Sequence, residues 1–198
     1  LGNIWIVGAG RTGEVAGQST LFPEGTISEM KGEKGATGNL VEYQLTGAGG
    51  YAIGEGSCMH VKNHTRQVSL DYQPDVDVEA LIRVDDTSEN GRIWRINTPE
   101  FNDVNILEDG FLVTALNGSS MRAYVIEGLE KADVSYSKVR YGGSTKRHNT
   151  GICYEGTCYV HTKAVDVACN GNISVVFSLQ TKGGDHPGIE EIRKQIKQ

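Results

Sequence analysis

Gly151-Ile-Cys-Tyr-Glu-Gly-Thr-Cys-Tyr-Val-His161 sets two runs of strand-forming residues, Ile152-Cys153-Tyr154 and Thr157-Cys158-Tyr159-Val160, on either side of Glu155-Gly156. A two-residue connection with Gly in second place favours a type I′ hairpin, which requires positive φ there. Folded that way, Tyr154 faces Thr157 and Cys153 faces Cys158. The cysteine pair then falls at a non-hydrogen-bonded site, where facing Cα atoms approach to about 4.5 Å. That separation lies at the short end of the disulfide range, so a Cys153–Cys158 bridge is feasible and strained. The hairpin predicts a β-rich, oxidised, extracytoplasmic protein.

Working outward, Cys169 lies just beyond the hairpin and Cys58 stands apart. With Cys153–Cys158 as a clip, Cys58–Cys169 is left as a long-range staple, although four cysteines allow three pairings and spacing does not choose among them. His148, Cys153, Cys158 and His161 form a competing zinc set, whose spacings match no common structural zinc motif. His60 and His64 have a helical ligand spacing, but their surroundings read as strand, which would set them about 13 Å apart.

Composition agrees with a strand-rich fold. The 198 residues include 26 Gly and only 4 Pro, which suggests short strands joined by many turns. A net charge of −6 excludes a general nucleic-acid binder, since the basic cluster Lys138, Arg140, Lys146, Arg147 and His148 reads as a solvated loop. No run is long and apolar enough to span a membrane, and Leu1 does not open a signal peptide, so the chain reads as mature or trimmed.

Leu40 to Val61 reads as an antiparallel meander with a turn at Gly47-Ala-Gly-Gly50. Pro74-Asp-Val-Asp-Val-Glu-Ala80 alternates strictly, predicting a half-buried strand with Val76, Val78 and Ala80 inward. Asp85 to Gly91 reads as a turn-rich connection, followed by a strand over Arg92–Ile96. Further hairpins are predicted at Asp109-Gly110 and Asn117-Gly118. Strands over Val134–Tyr141, Thr157–Val167 and Asn172–Leu179 complete a sandwich or barrel. Residues 1–182 thus form one β-rich domain with Gly-rich N-terminal loops. Residues 183–198 add an amphipathic helix, with Pro187 in its first turn and Ile189, Ile192 and Ile196 on one stripe. Docking on its own domain is the expected fate of that helix.

Near the start, Gly8-Ala-Gly-Arg-Thr-Gly13 follows the apolar run Asn3–Val7 and resembles the dinucleotide-binding fingerprint of Rossmann proteins. The resemblance implies phosphate binding at Gly8, Gly10 and Gly13, with Glu29 near the ribose. The helix that should follow runs through Gly17 into Pro23, so a glycine-rich loop after an edge strand is the competing reading. Gly32, Gly35 and Gly38 have collagen-like spacing over a few triplets only, which reads as a loop. The closing pattern, Cys158 and Cys169 before Ile173-Ser-Val-Val-Phe-Ser178, resembles the C-terminal region of pilin globular domains, without their long N-terminal helix.

Asp75, Asp77 and Glu79, with Asp71, Asp85 and Asp86 nearby, are candidate calcium ligands, although an extended run does not draw them together. No G-x-S-x-G or comparable nucleophile turn occurs. Sequons stand at Asn63, Asn117 and Asn172. Trp94, Tyr141, Tyr154 and Tyr159 are candidates for a carbohydrate-stacking or partner surface, with core packing as the alternative. The function expected is a non-catalytic structural or binding module of a surface assembly such as a virion, pilus or adhesin. It should need no cofactor or metal, meet a protein or carbohydrate partner, and form a homo-oligomer or assembly subunit. Its expected place is extracellular, on a cell surface or in a virion. The alternatives are a dinucleotide-binding enzyme using the Gly8–Gly13 loop, or a zinc-stabilised β domain.

Overall fold

A computed structural model of the chain describes residues 18–22, 25–26, 37–58, 61–87, 91–99, 102–141, 152–154, 157–181 and 183–196. Its strands form two antiparallel sheets and are numbered in chain order. One sheet runs β11 (Lys131–Tyr141), β13 (Thr157–Asn170), β7 (Gly91–Pro99), β1 (Gln18–Phe22) and β2 (Gly25–Thr26), with β12 (Ile152–Tyr154) also pairing β13. The other runs β3 (Thr37–Thr46), β4 (Gly49–Cys58), β5 (Val61–Asp71), β6 (Ala80–Thr87), β14 (Ile173–Gln180), β10 (Ser120–Glu127), β9 (Gly110–Thr114) and β8 (Asp103–Leu107).

The period-two alternation of these strands sends one set of apolar side chains between the sheets. Trp94 and Ile96 of β7 and Val165, Val167 and Cys169 of β13 meet Phe111, Val113, Ala123, Ile173, Val175 and Phe177 of the other sheet in one core. Strand β14 is central, flanked by β6 and β10, and is buried through Ser178 on both faces. Hence it reads as a continuous apolar run interrupted only by serines.

What covers the second face of β14 is the C-terminal helix α1 (Ile189–Gln195). Ile192 is fully buried against Leu81, Tyr124 and Val176, with Val76, Val78, Ile189 and Ile196 around them. The helix begins later than the sequence pattern predicts. Gly188, not Pro187, precedes its first turn, because the extended Gly188 offers its carbonyl to the N–H groups of Glu191 and Ile192. The Glu191 carboxylate in turn accepts the Gly188 N–H at 3.3 Å.

The meander over β3, β4 and β5 is as expected, with its turn at Gly47-Ala48. Across β12 and β13, Tyr154 pairs Thr157 and Cys153 pairs Cys158, the register read from the sequence. The side chains there, and Glu155-Gly156, lie outside the described residues.

Three expectations need correction. Asp75–Glu79 is a succession of bends rather than a strand, and β6 begins only at Ala80. Pro74 denies the segment a ladder donor, and Val78 turns back to the Val76 carbonyl at 2.8 Å. Its alternation is nevertheless real: Val76 and Val78 are half-buried beside α1, while Asp75, Asp77 and Glu79 are exposed. Second, Asp85 and Asp86 belong to β6, not to a loop, because Arg83 and Arg66 offset their charges. Third, the hairpin between β8 and β9 turns on Glu108-Asp109, since Gly110 already pairs Leu107 at the start of β9.

Candidate functional site

The two sheets share a core only along part of the larger one. Strands β3, β4 and β5 carry the inward-facing surface of that sheet past the core's edge. Register shows how the surface is built. Leu45, Gly50 and Leu70 form one cross-strand row; Tyr43, Ala52 and Val68 the next on that face; Leu40, Gly54 and Arg66 the third. Gly50, Ala52 and Gly54 supply almost no side chain, so β4 is the floor of a trough walled by β3 and β5. A Cβ added to Gly50 would lie 2.3 Å from the Gln44 carbonyl oxygen of β3, so the floor leaves no room for bulk there.

The trough is open, about 760 Å³ in volume, and also touches Asn39, Thr46 and Tyr72. Its wall is unusually apolar for a solvent face: Leu45 is 79% exposed, Tyr43 64%, Leu40 63% and Tyr72 58%. A contiguous exposed apolar surface of this kind marks a place where something binds. On alternate positions of the same strands, the Tyr51 hydroxyl donates to the Glu42 carboxylate, which raises the phenol pKa.

One end of the trough is fixed by charge. Arg66 Nε and Nη2 donate to Asp86 Oδ1 and Oδ2 at 2.6 and 2.5 Å, with both side chains almost wholly buried. Such a fork holds the guanidinium plane rigid against the β5–β6 ladder, where Arg66 and Asp86 are cross-strand partners.

A second polar cluster ties the C-terminal segment down. His186 Nε2 lies 2.8 Å from Ser120 Oγ and its Nδ1 lies 2.6 Å from Ser178 Oγ. The Tyr124 hydroxyl donates to the Pro187 carbonyl at 2.7 Å. Burial, then the nearby Arg122 guanidinium, lowers the His186 pKa below its ordinary value. Burial raises that of Tyr124. A hydroxyl, an imidazole and a second hydroxyl repeat the outline of a nucleophile, base and orienting group. Ser120, however, opens a strand rather than a tight turn, and the trough lies on β3, β4 and β5, away from β10 and β14.

The residues singled out from sequence fare differently. Trp94 is no surface residue: it is completely buried and stacks on Phe177, because β7 presents it to the opposing sheet. Tyr141 pairs Cys158, Tyr159 pairs both Arg140 and Ile152, and Tyr154 pairs Thr157. Tyr141 and Tyr159 therefore fall on adjacent rows rather than one row, and their side chains lie outside the described residues. Gly8, Gly10, Gly13, Glu29, His60 and His148 are likewise outside them. The doubly wound parallel sheet that a dinucleotide loop would need is not this architecture, since every pairing described is antiparallel.

Of the zinc candidates, Cys153 and Cys158 are cross-strand partners and His161 pairs Lys138, with side chains outside the description. Cys169 is buried in the inter-sheet core. The described residues gather no metal-binding group. Asp75, Asp77 and Glu79 point outward along a bent segment, and Glu79 accepts the Thr181 hydroxyl at 2.5 Å. Asn117 is exposed at the β9–β10 turn, where its Oδ1 accepts the Ser119 amide. Asn172 is also exposed, just before buried β14.

Sequence reasoning passed over the trough. A signal was there: Gly50-Tyr-Ala-Ile-Gly-Glu-Gly56 places small residues at every second position, which on a strand empties one face.

Neither a protein-family model nor a curated protein matches this sequence. Among solved structures, the chain is similar to the heparinase III BT4657 gene product, at 14% identity and a TM-score of 0.44, over 76% of this chain and 23% of that one. It is also similar to heparan sulfate lyase HepC from Pedobacter heparinus, at 7% identity and a TM-score of 0.47, over 77% of this chain and 23% of that one. The chain thus spans under a quarter of the length of these structures.

Proposed function

We propose that this chain is a non-catalytic, extracytoplasmic binding module of a larger surface assembly, and that its β3–β5 trough receives a carbohydrate chain. The observation that carries this reading is the exposed wall of Leu40, Tyr43 and Leu45 over the small-residue floor of Gly50, Ala52 and Gly54. Sugar rings present apolar C–H faces and hydroxyl rims. A Tyr face suits the former, while Asn39 and Thr46 supply donors and acceptors at the edge for the latter. The net charge of −6 favours a neutral glycan over a polyanionic one. The extracytoplasmic setting is supported by the Cys153–Cys158 cross-strand register and by exposed sequon residues Asn117 and Asn172.

A protein partner is the second reading, favoured by one feature. Strand β3 ends the larger sheet and exposes Leu40, Val41 and Leu45, as an edge that adds a partner strand would. Retention on immobilised neutral β-glucan, compared with capture by an extended apolar peptide, tests the two. Retention that is lost in Tyr43→Ala supports the carbohydrate reading. Peptide capture without glycan retention replaces it with strand addition.

A further inference from the structure

We infer that His186 is a pH-sensitive clasp: neutral, it holds the C-terminal segment 183–196 on the outer face of the β10–β14 pair, and protonated, it releases that segment. One set of protons satisfies all four contacts together. Tyr124 donates its O–H to the Pro187 carbonyl, so its oxygen is left to accept, and Ser178 Oγ lies 3.4 Å away. With Ser178 donating to Tyr124, its oxygen accepts the His186 Nδ1–H at 2.6 Å. Nε2 is then the acceptor, and the Ser120 hydroxyl donates to it at 2.8 Å. One neutral imidazole therefore joins two neighbouring strands and, through Tyr124, the residue before the N-cap of α1.

Protonation breaks this set at one point. Nε2 gains a hydrogen aimed at Ser120, whose own proton must turn away. The added charge sits in a half-buried site. From β10 it faces Ser120 and Arg122; from β14, Ser178; from its own segment, Asp185, whose carbonyl accepts from Gln180; Tyr124 lies beyond Ser178, with Glu191 of α1 nearby. Arg122 opposes the charge and Asp185 favours it, while burial is the largest influence and opposes it. Because the docked state holds the proton less tightly than the undocked one, docking is complete above about pH 6.5 and weakens as pH falls below that value. Release would uncover Leu81, Tyr124 and Val176, the apolar surface on which Ile192 sits.

The test is amide hydrogen exchange on the full chain at about pH 7.5 and about pH 5, each corrected for intrinsic exchange, alongside an NMR titration of His186. The inference expects the protection of Ile192 and Ile196 to fall, relative to the β10–β14 ladder, by up to about tenfold for each unit that the His186 midpoint lies below about 6.5. His186→Gln should remove that dependence. Ser120→Ala, which deletes the hydroxyl partner of Nε2, should shift the midpoint, and an unshifted midpoint would overturn the inference. A wild-type midpoint at or above about 6.5 would overturn the inference. So would helix protection that keeps pace with the ladder across the range, or an unchanged dependence in His186→Gln. Should that variant fail to fold, the wild-type titration and Ser120→Ala still decide.

Discussion

Trp94 and Phe177 stack across the space between the sheets, with ring centroids 5.9 Å apart and planes inclined by 22°. Phe177 also meets Phe111 edge-on at 6.5 Å, so one ring on the central strand joins both sheets' aromatic residues. All three are completely buried. Phe177→Ala should therefore cost about 3–5 kcal/mol, read as a lower urea midpoint with unchanged slope. A loss below about 1 kcal/mol would mean that the sheets are not held together here.

Arg66 and Asp86 are the buried charges whose pairing is most exposed to test. Arg66→Ala leaves the Asp86 carboxylate in a site with no exposed side-chain surface, and should destabilise by about 3–5 kcal/mol. Replacing both, as Arg66→Met with Asp86→Leu, should recover much of that loss. A double variant that costs as much in urea unfolding as Arg66→Met and Asp86→Leu added together would refute the coupling.

Backbone conformation separates Gly128 from Gly47. Gly128 has φ of +86°, and a Cβ there would lie 2.1 Å from the Asn172 carbonyl oxygen. Gly47 would meet nothing within 4 Å. Gly128→Ala should thus lower stability by more than about 1 kcal/mol, while Gly47→Ala should change it by less than about 0.5 kcal/mol. Thermal melts of the two variants, run side by side, check the contrast.

Much of this fold is legible where a local rule acts alone. Tyr154 with Thr157 and Cys153 with Cys158 follow from a two-residue connection, and the β3–β4 turn follows from its glycines. The reading slips where distant groups decide. Asp85 and Asp86 look like loop residues until Arg66, twenty positions away from Asp86, supplies the countercharge. Asp75–Glu79 has strand periodicity, but Pro74 and the want of a ladder partner leave it as bends that use the same alternation to meet α1. Trp94 carries no mark in sequence that distinguishes an interface residue from a core one; only the sheet opposite it does.

The trough was half legible. Its floor is written in the alternate small residues of β4, yet its walls need the register of β3 against β4, including the bulge between Leu40 and Glu42. That bulge brings Leu40 onto the face of Tyr43 and Leu45, a relationship that strict alternation along β3 would not produce. His186 was silent in sequence for a similar reason: its partners Ser120 and Ser178 come from two other strands.

The central claim concerns the trough, and amide NMR of the labelled full chain titrated with cellohexaose tests it most directly. The account predicts shifts confined to β3, β4 and β5 around Tyr43, Gly50, Ala52 and Leu70, and binding weakened about two- to tenfold by Tyr43→Ala. Shifts that fall elsewhere, that survive Tyr43→Ala unchanged, or that never develop with this or other neutral oligosaccharides would contradict it.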